Sequence, residues 1–184
     1  MQLSIFPKPY ADFVARLRVP SGFLLVAAFA WFAHPSPQSL AFGVPVSAAG
    51  LVLRAWAAGH LAKNQRLTTG GPYAYARNPL YLGTLVVAAG LAVACRSLGL
   101  AILFALVFLF IYLPVIMLEE QHLRELFPEF DRYARTVPAF IPSGKHFATG
   151  SYFSWALYRR NQEYQALLGF MAGLAWLIWR TIWP

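Results

Sequence analysis

Acidic side chains are scarce in this sequence. Seven Asp and Glu stand against fifteen Lys and Arg in 184 residues, and charged residues of both signs make up only 12% of the chain. A soluble domain of ordinary composition carries about a quarter. Cysteine occurs once, so Cys95 has no partner for an internal disulfide, and at the tip of an apolar hairpin it reads as a small hydrophobic residue. Metal-ligand clusters are missing as well: His34, His60, His122 and His146 stand apart, with no His or Cys at helical spacing. No G-x-G-x-x-G occurs, which removes the signature of a soluble dinucleotide-binding domain.

What is abundant is apolar. The chain is 59% hydrophobic with a mean hydropathy of +0.52, the composition of a multi-pass membrane protein. Apolar segments fall at 19–33, 40–58, 80–94, 98–118 and 166–183. They predict an all-α fold with about five transmembrane helices in a single integral-membrane domain, 1–184, in which 61–142 carries the motifs and 143–184 holds an aromatic interfacial segment plus the last transmembrane helix. Some segments are shorter than the ~20 residues a span needs, so flanking residues must complete them. Lys8, Asp12, Arg16 and Arg18 precede the first run and predict a retained helix, not a cleaved signal peptide.

The formal charge of +8 does not point to nucleic acid, because the basic residues are scattered between apolar runs; anionic lipid headgroups account for it. In a five-span arrangement Lys8, Arg16, Arg18, Lys63, Arg66, Arg77, Arg124, Arg132, Arg135, Lys145, Arg159 and Arg160 share one side, and Arg96 and Arg180 the other. The positive-inside rule then makes the N-terminus and the polar loops cytoplasmic, in a cell membrane of prokaryotic type. Arg54 alone lies within a span, to snorkel or to pair with Glu119 or Glu120.

The chemistry concentrates in two places. One is the loop from Gly70 and Gly71 through Pro72, Tyr73, Tyr75, Arg77, Asn78 and Pro79 to Tyr81 and Gly83, which opens directly into a hydrophobic helix. The other is the pair Glu119-Glu120 at the far end of the next apolar hairpin. A guanidinium, an amide and phenols at a helix N-terminus, facing two carboxylates, suit a zwitterionic ligand with a carboxylate and an ammonium or sulfonium. The same residues also suit an ion pair of Arg77 with one glutamate that simply closes the hairpin, and the sequence leaves both open. Residues 119–133 carry the pattern of an amphipathic interfacial helix broken at Pro128, residues 137–142 read as an extended strap, and Tyr152, Phe153, Trp155 and Tyr158 form an aromatic belt.

The run from Gly71 to Gly83, followed by Glu119-Glu120 and by Phe127-Pro128-Glu129-Phe130-Asp131-Arg132-Tyr133 with Val137-Pro138, resembles the isoprenylcysteine carboxyl methyltransferase and phospholipid N-methyltransferase superfamily of integral-membrane enzymes. The resemblance implies S-adenosyl-L-methionine as cofactor, S-adenosyl-L-homocysteine as product, and a lipid or lipophilic small molecule as substrate. It implies that Gly71, Tyr73, Arg77, Asn78, Pro79 and Tyr81 line a cytoplasmic cofactor pocket. Gln65, Leu67 and Thr68 would lie beside it, and Glu119 or Glu120 would hold its polar end. Arg77 and Glu120 are the catalytic candidates, Glu120 or His122 the only nearby bases. Asn78 stands where many relatives have His, and Val115 and Ile116 stand where the prenylcysteine enzymes place an arginine, which turns the expectation toward an acceptor other than a prenylcysteine carboxylate. The alternatives are an NADPH-dependent enzyme like the sterol reductases and a non-catalytic lipid-binding membrane protein. The oligomeric state is not legible.

Overall fold

The computed structural model describes residues 8–142, 147, 150 and 152–183; Lys145 and His146 lie outside them. The described residues contain helices and irregular connections and no strand. In chain order the helices are α1 (Lys8–Phe32), α2 (Pro37–Ala58), α3 (Pro79–Cys95), α4 (Leu98–Val107), α5 (Leu113–Leu126), α6 (Phe130–Thr136), α7 (Trp155–Arg160) and α8 (Tyr164–Ile182). A single 3₁₀ turn (Gly71–Ala74) sits in the loop before α3, and a π turn (Phe108–Tyr112) joins α4 to α5.

Local chemistry sets the ends. Ser36 caps α2 through a reciprocal pair with Ser39, the Ser36 hydroxyl accepting from Ser39 N–H at 3.2 Å and the Ser39 hydroxyl from Ser36 N–H at 2.9 Å. Ser97 caps α4 by accepting from Leu100 N–H at 3.3 Å. Pro37 and Pro79 occupy first helical positions, where a missing N–H costs nothing. Pro20 lies inside α1, and the halves Pro9–Leu17 and Pro20–Phe32 meet at 50°.

Three helices are long and apolar enough to cross a bilayer, namely α2, the continuous 29-residue rod from Leu98 to Leu126 and α8, and a fourth if bent α1 counts as one span. The apolar α3 has 17 residues, short for an independent crossing. The rod corrects one expectation. Residues 119–126 are not a separate interfacial helix but continue the membrane helix, so both glutamates are fixed on its terminal turns. Pro128 does interrupt the chain before α6.

The closest packing in the molecule joins α2 to α3. A side chain at Gly50 would meet Gly83 O and Val87 N, both at 2.7 Å, and Gly43 faces Gly90 in the same way about two turns earlier. The Ser39 hydroxyl donates to Ala94 O at 2.8 Å and the Ser47 hydroxyl to Val87 O at 3.1 Å. Lipid tails offer no hydrophobic contrast to drive helices together, so this seam of small residues relies on dispersion contacts and interhelical hydrogen bonds. At one end Ala33, Ala94, Cys95, Leu100 and Leu177 bury together, and Cys95 is the core residue expected of it. At the other end Phe130, Tyr133 and Val137 form a second cluster under the loop, with Leu67, Leu123 and Phe127 against it.

The seam makes a prediction. Gly50→Val should lower the thermal midpoint of the detergent-purified protein by an amount corresponding to at least ~1–3 kcal/mol of overpacking. Gly169→Ala, where the added carbon meets nothing within 4 Å, should leave it unchanged or raise it. Equal behaviour of the two variants would dismiss the seam as the packing core.

Candidate functional site

The loop before α3 folds against α5, α6 and the strap through one guanidinium. Arg77 donates from Nε to Glu120 Oε1 and from Nη2 to Glu120 Oε2, each at 3.0 Å, and from Nη1 to Val137 O at 2.7 Å and Ala134 O at 3.0 Å. Four of its five N–H donors are therefore committed within the protein. Both partners are largely buried, with 16% and 17% of their side chains exposed. The Asn78 amide donates to Glu120 Oε1 at 2.8 Å, so the amide that replaces an imidazole orients the same carboxylate. The backbone adds two more ties, Arg77 N–H to Pro138 O at 2.8 Å and Asn78 N–H to Ala139 O at 3.1 Å. The residues after α6 thus form an extended strap along the loop, as the two prolines predict.

The hairpin-closing ion pair is present, and it engages Glu120. Glu119 turns elsewhere: Tyr81 donates its hydroxyl to Glu119 Oε1 at 3.0 Å. Beside it the π turn presents Phe108 and Tyr112, stacked with centroids 6.2 Å apart, and Tyr112 meets the Tyr81 ring edge-on at 6.1 Å while Phe108 meets Phe140 at 6.0 Å. One extra residue per turn re-aims side chains, and such turns often sit at functional sites.

Tyr73 is the most unusual member. It is 7% exposed, and its hydroxyl makes no hydrogen bond with the described residues. Its carbonyl oxygen accepts from the Tyr133 hydroxyl at 2.7 Å. Burial above all, and then the negative charge of Tyr133, Glu119 and Glu163, raise its pKa above the ordinary 10.0, with Arg54 opposing. Tyr73 therefore remains a neutral donor. Tyr133 is raised as well, by burial, with Arg77 opposing.

The remaining expected residues divide. Gly71 adopts φ +59°, and a side chain there would meet the His60 ring at 2.6 Å, so glycine is required. Pro79 is fully buried at the start of α3. Thr68 accepts from Ala62 N–H at 3.3 Å, and Leu67 packs into the cluster under the loop. Gln65 is exposed and, with its amide oxygen turned to Arg160, accepts from Nη1 and Nη2 at 2.7 and 2.8 Å. The loop thus brings Arg77, Asn78 and Tyr81 onto the two glutamates, while Gln65, Leu67 and Thr68 make their contacts with Arg160, the cluster under the loop and Ala62.

Arg54 contradicts both expectations for it. It neither snorkels nor pairs with Glu119 or Glu120; Nε and Nη2 donate to Glu163 Oε1 and Oε2 at 2.6 and 3.0 Å, and Nη1 donates to Thr84 Oγ1. Sequence reading flagged Arg54 but missed Glu163, whose signal was a lone acid among aromatics before an apolar run.

Two variants test this arrangement. Glu120→Gln, which leaves a largely buried guanidinium without its counterion, should cost ~3–5 kcal/mol of stability in detergent melts. Tyr133 titrates higher in the folded chain than its ordinary 10.0, so its contribution is complete below pH about 10 and is lost as the pH rises, where the unfolded chain releases the proton first. The melting midpoint should fall above pH about 10, and Tyr133→Phe should flatten that fall while costing ~1–3 kcal/mol for the unpaired Tyr73 carbonyl. An unaltered alkaline slope would show that Tyr133 is not the group responsible.

Comparison with known proteins follows from this geometry. The family model described as phospholipid methyltransferase matches residues 21–129. The chain is 39% identical over 109 residues to a cobalt-zinc-cadmium resistance protein of Cupriavidus metallidurans, covering 58% of this chain and 50% of that protein. It is 36% identical over 140 residues to a nickel-cobalt-cadmium resistance protein of Alcaligenes xylosoxydans xylosoxydans, covering 74% and 59%. It is 28% identical over 141 residues to protein-S-isoprenylcysteine O-methyltransferase of Schizosaccharomyces pombe, covering 73% and 59%. The chain thus spans about half to three fifths of the length of these relatives. No solved structure matches it.

Proposed function

The chain belongs to the phospholipid methyltransferase family, and on that premise we propose that it transfers a methyl group from S-adenosyl-L-methionine to a lipophilic acceptor in the membrane. The observation that carries the reading is the convergence of the loop before α3 on two adjacent carboxylates, Glu120 committed to Arg77 and Asn78 and Glu119 held by the Tyr81 hydroxyl beside the aromatic wall. A ligand carrying both a cation and hydrogen-bond acceptors suits a carboxylate and neutral phenols placed together in this way.

The residues fit the cofactor in detail. Glu119, held by Tyr81, offers negative charge to an ammonium or sulfonium. The faces of Tyr81, Tyr112, Phe108 and Phe140 supply a wall that favours a cation and excludes water. Tyr73, kept neutral, donates to an anionic or carbonyl oxygen. When bound, S-adenosyl-L-methionine supplies a methyl group on a sulfonium, and S-adenosyl-L-homocysteine is the product. The protein's part is to hold the acceptor in line with that methyl and to keep water out.

Arg77 and Glu120, the two catalytic candidates of the sequence, take a different part in this reading. With four donors committed, Arg77 has little capacity left for a ligand carboxylate. The pair positions the loop, and Glu119 and Tyr73 face the cofactor. The active side is cytoplasmic, as the distribution of basic residues indicates. Two bacterial relatives carry names that speak of metal resistance. Among the described residues no group of three or more His, Cys, Asp or Glu is placed to hold an ion.

Calorimetry with S-adenosylhomocysteine and labelled-methyl transfer into host lipid extract test the proposal. Wild type should bind and transfer. Glu119→Gln should weaken binding by about tenfold or more, one charge-assisted hydrogen bond, with the melting midpoint preserved, whereas Arg77→Ala should lose stability along with binding. Absence of binding by folded wild type would refute the reading.

A further inference from the structure

A groove of about 160 Å³ opens between α2, α7 and α8, lined by Leu51, Val52, Ala55, Tyr158, Glu163 and Leu167. It is apolar except for the Tyr158 hydroxyl and the carboxylate of Glu163, which is 8% exposed and stands at the N-cap of α8, where the helix dipole favours negative charge. The other side of that carboxylate is the fork to Arg54, which reaches Thr84 and Leu80 O on α3. One end of the groove is therefore a buried ion pair, and the walls are hydrocarbon.

The remaining hydrogen-bonding capacity of the pair is lopsided. Arg54 commits Nε, one hydrogen of Nη2 and both of Nη1, four of five donors. Each oxygen of Glu163 accepts one of them, and a carboxylate has about four lone-pair sites. The groove thus meets acceptors. A ligand head that donates, an amine or a hydroxyl, adds to the network without disturbing it. A carboxylate head would have to displace Glu163 from Arg54 and leave a buried charge unpaired. Arg54 in turn ties the groove to the start of α3, where the Leu80 carbonyl and the Thr84 hydroxyl accept from its Nη1 and the neighbouring Tyr81 holds Glu119. The groove and the candidate cofactor site are thus joined through the first turns of α3.

We propose that this groove is the acceptor subsite, taking the hydrocarbon chain of a membrane-soluble amphiphile between α2 and α8 with a hydrogen-bond-donating head, amine or hydroxyl, on Glu163. Its role as acceptor subsite rests on the methyltransferase reading; its chemistry as an amphiphile site does not. Glu163 positions the head, and Leu167 and Ala55 shape the passage.

The full-length protein in detergent, labelled with a diazirine-bearing dodecylamine and mapped by peptide mass spectrometry, tests it. Label is expected on residues 51–55 and 158–167. Excess dodecylamine or dodecanol should suppress it about tenfold, whereas dodecanoate should not, the contrast expected for a charge-assisted bond. Leu167→Trp, which fills the groove from an exposed position, should lose the label while S-adenosylhomocysteine affinity is kept. Glu163→Gln should narrow the preference for the amine. Label spread evenly over lipid-facing helices, or equal competition by dodecanoate, would overturn the groove even if S-adenosylhomocysteine binds. Specific labelling without S-adenosylhomocysteine binding would uphold the amphiphile site and overturn the methyltransferase reading instead.

Discussion

The fork between Arg77 and Glu120 is the contact on which the rest of the site depends. It joins a loop with little secondary structure of its own to the last turns of a 29-residue membrane helix. The same guanidinium then reaches the end of α6 and the start of the strap. A charge withdrawn from water is tolerated only when its partners are complete. Here a bidentate carboxylate and two carbonyls provide them, and Asn78 completes the carboxylate in turn. Such a network has few alternative arrangements, so it fixes the loop against α5 more narrowly than apolar contacts would. Glu119 is placed as a consequence, since it occupies the next position on a helix whose rotation Glu120 has set.

That division of labour between neighbouring glutamates is a matter of helical geometry. Consecutive residues on a helix point about 100° apart. One carboxylate can therefore close the structure while the other faces the aromatic wall formed by Tyr81, Tyr112 and Phe108. The π turn contributes by shifting the register between α4 and α5, so that aromatics of the upper rod and carboxylates of the lower rod meet the same loop. An unbroken α-helix would send one of the two sets elsewhere.

Much of this was legible in the sequence because the signals were local. Apolar runs gave the helices, prolines marked the strap, and the loop with Tyr73, Arg77 and Asn78 and the pair Glu119-Glu120 marked two segments that the structure brings together. The failures have a common cause. Arg54 and Glu163 are 109 residues apart, and nothing in either neighbourhood specifies the other. The roles of the glutamates, the π turn and the donation from Tyr133 to Tyr73 likewise depend on how helices rotate in the assembled structure. Periodicity reads a helix, but side-chain partners across helices are decided by packing. The predicted interfacial helix at 119–133 failed for a related reason: charged residues at the end of a membrane rod have the same pattern as a helix lying on the surface.

The C-terminal helices bear on specificity. The family match ends at residue 129, so α7 and α8 lie beyond it, yet they are not an appendage. Asn161 donates to Ala58 O and Leu61 O at 2.9 and 3.0 Å, Ser154 N–H donates to Gly59 O at 2.8 Å, and Glu163 captures Arg54. Each contact satisfies a group at the C-terminal end of α2, where carbonyls lack helical partners and a cation faces hydrocarbon. A chain ending at the family core would have to solvate those groups in some other way. On the proposed reading, α8 thus closes the side of the core on which an acceptor enters, and the residue that closes it also presents the polar contact an acceptor meets. Divergence in this segment can alter what is methylated while Arg77, Glu120 and the aromatic wall stay as they are.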